Sequence, residues 1–216
     1  MINHIDDYHT ANMDPWDFKG GDTITQDAYK RQPKQSRTGY VNTESSRHFF
    51  VDDMEHPYND DENKFNWIRG YHVGGRSLTW GRHTYRLSEF DFEANLKDGI
   101  AVDWPIRYKD ISPWYDYVEQ YIGVQGRPEG LAQFPDGKFL KPFDLNVLEN
   151  HMRKSIANNF NDGRILSNAR TAHITEGTKP GLGRVTCQYR NRCMRGCPYG
   201  AYFSSNSSTL PAAEAT

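Results

Sequence analysis

Long apolar runs, a complete nucleotide fingerprint and cysteines spread along the chain are all missing from this 216-residue sequence. Hydrophobic residues make up 36% of it, which is low for a globular chain of this size but above the disordered range. No apolar run approaches membrane-spanning length, and the first residues lack the regions of a signal peptide. The sequence therefore predicts a soluble protein without a transmembrane segment, and leaves the choice between cytoplasm and periplasm open.

Several site types are excluded by missing motifs. There is no G-x-x-x-x-G-K-[ST] and no H-E-x-x-H, and the eight histidines are scattered. "GLGRVT", Gly181 to Thr186, has two glycines of a dinucleotide fingerprint but threonine in the third place and no strand before it. The net charge of -2 gives no general attraction to nucleic acid. We expect no nucleic-acid partner and no phosphate-binding loop of the Walker type.

Three helices are predicted from capping and periodicity. Ser88 and Asp91 fit a capping box, with Gly99 as a stop. Ser112 would cap a second helix that begins at Pro113 and ends at Gly123. A third helix should run from about Leu145 to Phe160, and its apolar stripe is expected to pack into the core. Aromatic residues, 13% of the chain, would build that core from Trp, Tyr and Phe. The stripe comprises Leu145, Leu148, Met152, Ile156 and Phe160.

The stretch "YHVGGRSLTWGR" carries features of a ligand-contact loop. Adjacent Gly74 and Gly75 permit unusual backbone angles and a close approach of the main chain to a flat ligand. Hydroxyl, indole and guanidinium groups follow, which suit a planar ring and a pyrophosphate. From composition alone, an ordinary Gly-Gly turn between strands is the favoured interpretation.

The chain resembles the glucose–methanol–choline (GMC) oxidoreductases, and within them the bacterial sugar and gluconate dehydrogenase flavoproteins. The resemblance rests on "VGGRSLTWG", on the WPI-x-Y-x-D-[IL]-x-P-[WY]-Y element from Trp104 to Tyr115, and on "CMRGCPYGAYFSSNSSTLPAA". It covers Asn63 to Thr216 well and the earlier residues loosely. In that family the Gly-Gly-x-Ser loop packs along the flavin ring of FAD. The resemblance thus implies cofactor contacts at Gly74, Gly75, Arg76, Ser77, Thr79 and Trp80.

The implied fold is α/β, with an incomplete FAD-binding, Rossmann-like domain joined to part of a substrate domain, and with many loops. Residues 1–86 would form the partial FAD-binding domain. Residues 87–170 would hold helices and the start of the substrate domain. Residues 171–216 would be a cysteine-containing segment that returns toward the FAD domain. Pyranose oxidases, more distant relatives, have a flavin-linked histidine where this chain has Thr79, so we expect non-covalent FAD.

The departures from this family predict an internal fragment that is inactive alone. Family members open with a strand, G-x-G-x-x-G and a helix, and close with a domain that carries the catalytic histidine. Neither is found here, and none of the eight histidines matches that base, so we assign no catalytic residue to this chain. In the parent enzyme, a histidine would take the hydroxyl proton while hydride passes to the flavin.

All three cysteines lie between Cys187 and Cys197. On the ferredoxin register C-x2-C-x2-C-x3-C-P, Cys187, Cys193 and Cys197 match, while Arg190 holds the second ligand position. Three thiolates would suit a three-iron cluster, and the resemblance extends to family members that carry a cluster beside the flavin. A disulfide plus one thiol is the plainer alternative, and zinc is less favoured because no C-x-x-C pair exists. If a cluster forms, the three sulfurs should converge and Arg190 should point away from them.

Three functions from different classes follow. The first is a segment of an FAD-dependent enzyme that oxidises CH–OH groups of a sugar, polyol or aldonate, with a candidate electron-acceptor subunit or cytochrome as partner. The second is an iron–sulfur electron-transfer subunit of a flavin dehydrogenase. The third is a non-catalytic carbohydrate-binding module, which only the richness in aromatic residues supports.

Overall fold

The computed structural model describes residues 10–18, 20–39, 41–181 and 183–216, so parts of the predicted first domain and Leu182 of "GLGRVT" lie outside the described residues. Within these ranges we number six α-helices in chain order. They are α1 (Gln26–Arg31), α2 (Glu89–Phe92), α3 (Ala94–Asp98), α4 (Tyr108–Ile122), α5 (Val147–Asn159) and α6 (Thr209–Glu214). Short 3-10 turns occur at Pro15–Asp17, Gln35–Thr38, Arg47–Phe49, Gly75–Leu78 and Cys193–Arg195.

Extended pairing is limited to isolated bridges in the described part of the chain, which contains no sheet. Examples are the antiparallel bridges of Phe50 with Gly70 and of His173 with Tyr202, and the parallel bridge of Gln125 with Leu140. The α/β class of the parent fold therefore stays an expectation.

The chain divides into two compact units. The first unit combines Met1–Gly81, as far as it is described, with Gln188–Gly200 and Ser204–Thr216. The second unit combines Arg82–Cys187 with Ala201–Phe203. These units are defined by spatial proximity, and the domain boundaries predicted from the sequence stay a prediction.

The first unit has a small apolar core. It is formed by Ala11, Val41, Phe49, Phe50 and Leu78, with Ile68 packed against it. Beside it, the fully buried Gln35 accepts from the Arg69 backbone amide at 2.7 Å and donates to Asp53 at 2.7 Å. Such paired polar groups let a unit with few aliphatic residues bury backbone without losing hydrogen bonds.

The second unit buries arginines. Arg86 forms ion pairs with Glu119 and Asp116 of α4, both at 2.5 Å. Arg170 pairs with Asp136 at 2.8 Å, and its guanidinium lies 3.8 Å from the centre of the Phe134 ring. Buried cations of this kind are tolerated only when they are paired and hydrogen-bonded.

Phenylalanine and tyrosine contribute to the buried residues as predicted, but tryptophan contributes little. Phe49, Phe92 and Tyr202 are buried. The expectation of a tryptophan-built core is wrong, because four of the five tryptophans have large exposed fractions, which are 79% for Trp16, 52% for Trp67, 44% for Trp104 and 66% for Trp114.

One of the two predicted ends of α4 is confirmed, and the other is wrong. Gly123 caps the helix in the left-handed conformation (φ 81°), as its position predicts. The start at Pro113 is wrong, because the helix begins at Tyr108 and the proline lies inside it. Proline there removes the amide that would reach the Lys109 carbonyl, and the Ser112 hydroxyl donates to that carbonyl instead, at 3.4 Å.

The other two helix predictions are also confirmed in part. The Ser88–Asp91 capping box and the left-handed Gly99 are present, but two short helices, α2 and α3, replace one. The third helix lies within two residues of its predicted bounds and is capped by Asn146 and Glu149. Its core role is wrong, because no residue of α5 is buried.

None of the helices in the described ranges is long and apolar enough to cross a membrane.

Candidate functional site

The Gly74–Gly75 pair, in the first unit, forms a turn that other residues adopt only with strain. Gly74 has φ 90° and caps the 3-10 turn that begins at Gly75, which has φ 51°. Two successive positive φ angles favour glycine because it has no Cβ. The pair is thus required by backbone geometry before any ligand is considered.

A serine-rich segment distant in sequence holds this turn. A Cβ at Gly74 would lie 2.3 Å from Oδ1 of Asn206, so only glycine leaves room for that buried side chain. The Asn206 amide donates to the Val73 carbonyl at 3.3 Å. The Ser77 hydroxyl donates to the Gly74 carbonyl at 2.6 Å and accepts from the Ser205 amide at 2.9 Å. Sequence reasoning missed Ser205 and Asn206, although the run "SSNSS" was a signal of polar packing.

The two glycines therefore differ in role. Gly74 makes space for Asn206, whereas a Cβ at Gly75 would meet no atom within 4 Å. Gly75 and Arg76 are exposed, and Trp80 is half-buried. Thr79 is only 4% exposed, so its side chain belongs to the interior of the unit. Of the predicted cofactor residues, Gly75 and Arg76 present the most open surface.

A pocket of about 370 Å³ in the same unit includes Arg76 in its lining. His56, Trp67, Arg69 and Tyr71 also line it. The His56 and Tyr71 ring centres are 5.2 Å apart, and the Arg69 guanidinium lies 5.3 Å from the Trp67 ring centre. Rings beside the exposed Arg76 form a suitable environment for a planar, anionic molecule, whereas Arg69 is paired with Asp53 at 3.6 Å. The residues present thus fit an aromatic cofactor that carries phosphates.

The cysteines are present as half-buried thiols rather than as disulfides. Cys187 belongs to the second unit, and Cys193 and Cys197 belong to the first. Within the described ranges, no group of three or more His, Cys, Asp or Glu side chains is arranged to hold a metal ion. The cluster assignment for Cys187, Cys193 and Cys197 stays a prediction.

Arginines of the cysteine segment contact the chain near its start. Arg190 donates to the Ala11 carbonyl at 3.3 Å and to the Asn12 side chain at 3.4 Å. Arg195 donates to the Met13 carbonyl at 2.9 Å, and Arg192 pairs with Asp14. Their charges thus tie residues 11–14 to the cysteine segment within the first unit.

Three curated proteins are similar to parts of the chain. Fructose dehydrogenase large subunit from Gluconobacter japonicus is 25% identical over 132 residues, 61% of this chain and 24% of that protein. 2-Methyl-1,2-propanediol dehydrogenase from Mycolicibacterium austroafricanum is 32% identical over 66 residues, 30% of this chain and 12% of that protein. Paromamine 6'-oxidase from Streptomyces fradiae is 36% identical over 61 residues, 27% of this chain and 11% of that protein.

The chain thus spans about a quarter, or less, of the length of these relatives. All three are named as dehydrogenases or oxidases, which supports a general oxidoreductase relationship at low identity and partial coverage. No model of a known protein family matches the chain.

Proposed function

We propose that the chain is part of an FAD-dependent GMC-type oxidoreductase that oxidises CH–OH groups of a sugar, polyol or aldonate. The main supporting observation is the Gly74–Gly75 turn. A Cβ added at Gly75 would meet no atom within 4 Å, whereas the space beside Gly74 is occupied by Asn206. Relatives named for fructose, a propanediol and paromamine support hydroxyl-bearing substrates. The rest of an α/β, Rossmann-like FAD-binding domain belongs to the same proposal.

The residues of this chain would hold the flavin rather than perform proton transfer. When bound, FAD supplies a two-electron acceptor for the hydride of the alcohol carbon. Gly75 leaves the turn open to a flat ring, and Arg76 provides positive charge for phosphate groups. Ser77 and Asn206 keep the turn in one conformation, so that little ordering is required on binding.

The test uses the longer protein that we propose contains this chain. We expect it to purify with a flavin absorption spectrum and to reduce an artificial electron acceptor with a sugar, polyol or aldonate. Gly75→Asn should lose the flavin, because asparagine tolerates positive φ but adds a side chain on the open face. Gly99→Asn is the matched control, since Gly99 has φ 68° and nothing within 4 Å of an added Cβ.

A colourless wild-type protein without turnover would overturn the proposal. Equal flavin content in the Gly75→Asn and Gly99→Asn variants would show that this turn does not contact the cofactor. The described chain alone should stay colourless after it is mixed with FAD and desalted, since it represents a small part of such an enzyme.

An iron–sulfur cluster at Cys187, Cys193 and Cys197 is the second proposal, and it rests on their match to the ferredoxin register alone. It would pass electrons to a partner subunit or cytochrome, and one relative is itself named a large subunit. Iron and sulfide analysis after anaerobic purification tests it. Iron that is absent, or unchanged by Cys193→Ser, would contradict it.

A further inference from the structure

A second cavity, of about 550 Å³, lies within the second unit. Its volume is in the range of small-molecule sites. The first turn of α5 and the segment 166–173 both contribute to its lining. The side chains that matter for recognition are Gln125, Phe143, Asp144, Glu149, Asn168 and His173.

The cavity carries negative charge. Asp144 and Glu149 supply two carboxylates, and the described lining residues include neither lysine nor arginine. Burial, with the charges of Arg82, His83 and Arg184, lowers the pKa of His173 to about 4, so its ring is neutral at pH 7. An anionic ligand would therefore meet like charge, whereas hydroxyl or ammonium donors would find acceptors.

Two residues of the lining carry buried side-chain atoms that have no hydrogen-bond partner. Asn168 is 6% exposed, and its amide donates to the Phe143 carbonyl, but its Oδ1 has no hydrogen-bond partner. Nδ1 of His173 also has none. A buried polar atom of this kind costs free energy until a hydrogen-bond partner meets it.

The side chain of Gln125, in contrast to that of Asn168, has partners for both its amide and its oxygen. Its amide donates to the Ala169 carbonyl and to the Thr171 hydroxyl, both at 2.7 Å, and its oxygen accepts from the Phe143 amide at 3.0 Å. Because these groups are used, Gln125 fixes the wall of the cavity. Asn168 differs in that its side-chain oxygen has no hydrogen-bond partner.

We propose that this cavity binds a polyhydroxylated molecule that carries no negative charge. Asp144 and Glu149 would accept hydrogen bonds from its hydroxyl groups, and the Phe143 ring would offer an apolar surface to its C–H face. This ligand class rests on the proposed function. The negative charge of the cavity narrows the class of ligand, because it favours sugars and amino sugars over the anionic aldonates.

The experiment titrates the isotopically labelled chain, without flavin, with D-glucose, D-glucosamine and D-gluconate, which have similar size and different charge. We expect saturable shifts of the Asn168 and Gln125 side-chain amide signals with glucose and glucosamine, and at least about tenfold weaker binding of gluconate. Asp144→Asn should weaken glucosamine binding about tenfold, because a hydrogen bond to a charged group is lost.

Two further variants distinguish a loss of ligand binding from a loss of folding. Phe143→Leu should weaken glucose binding while the exposed Asp98→Asn leaves it unchanged. No saturable shift with any of the sugars, or equal binding by Asp144→Asn, Phe143→Leu and wild type, would overturn the proposal. Gluconate binding as tightly as glucose would also overturn it. Because this titration contains no flavin, its failure is distinct from a failure of the longer protein to hold FAD.

Discussion

Helices α4 and α5 have similar lengths, but they are anchored in different ways. In α4, Glu119 and Ile122 are buried, and Glu119 pairs with Arg86. In α5, Leu148 is 68% exposed and Met152 is 45% exposed. A periodic apolar pattern therefore identifies a helical face without identifying what covers it.

The largest expected effect removes the anchor of α4. Arg86→Met leaves the Glu119 carboxylate buried without its cation, which should lower the free energy of unfolding of the second unit by about 3–5 kcal/mol. Chemical denaturation followed by circular dichroism measures it. The double variant Arg86→Met/Glu119→Leu should regain most of that loss, and a single variant as stable as wild type would contradict the role of this pair.

A pH effect should come from His173 of the second unit. Its pKa in the folded protein, about 4, lies below the ordinary histidine value of 6.5. The unfolded chain therefore binds more protons between these values, and stability present above pH 6.5 is lost as pH falls toward 4. The loss should be roughly 2–3 kcal/mol.

The measurement is the free energy of unfolding at several pH values for wild type and His173→Asn. We expect the difference between the two proteins to shrink as pH falls from 6.5 to 4. Parallel curves over this window would mean that the ring titrates normally in the folded state.

The smallest effects concern α5, where the cap should matter more than the stripe. Asn146→Ala removes the acceptor that the Glu149 amide uses at 2.9 Å, and should cost about 1 kcal/mol. Leu148→Ala should change stability by less than about 0.5 kcal/mol, since exposed positions contribute little. Thermal unfolding compares the two, and a larger loss for Leu148→Ala would show that this face is covered in solution.

Local signals in the sequence predicted several details correctly. Gly99 and Gly123 end their helices in the left-handed conformation, and the Ser88–Asp91 box forms. These features depend on neighbours a few residues away, so they can be read from spacing alone. The start of α4 could not, because Pro113 is tolerated inside the helix once the Ser112 hydroxyl reaches the Lys109 carbonyl.

The positive-φ glycine pair, the helix caps and the clustering of all cysteines depend only on residue type and short spacing, so they can be read from the sequence. Only the tertiary structure decided that Asn206 occupies the space over Gly74, that Arg86 anchors α4, and that Asp144 and Asn168 line one cavity. Each of these contacts joins residues at least 24 positions apart. Chain folding brings such residues together, and no periodicity or local propensity encodes which distant side chain arrives.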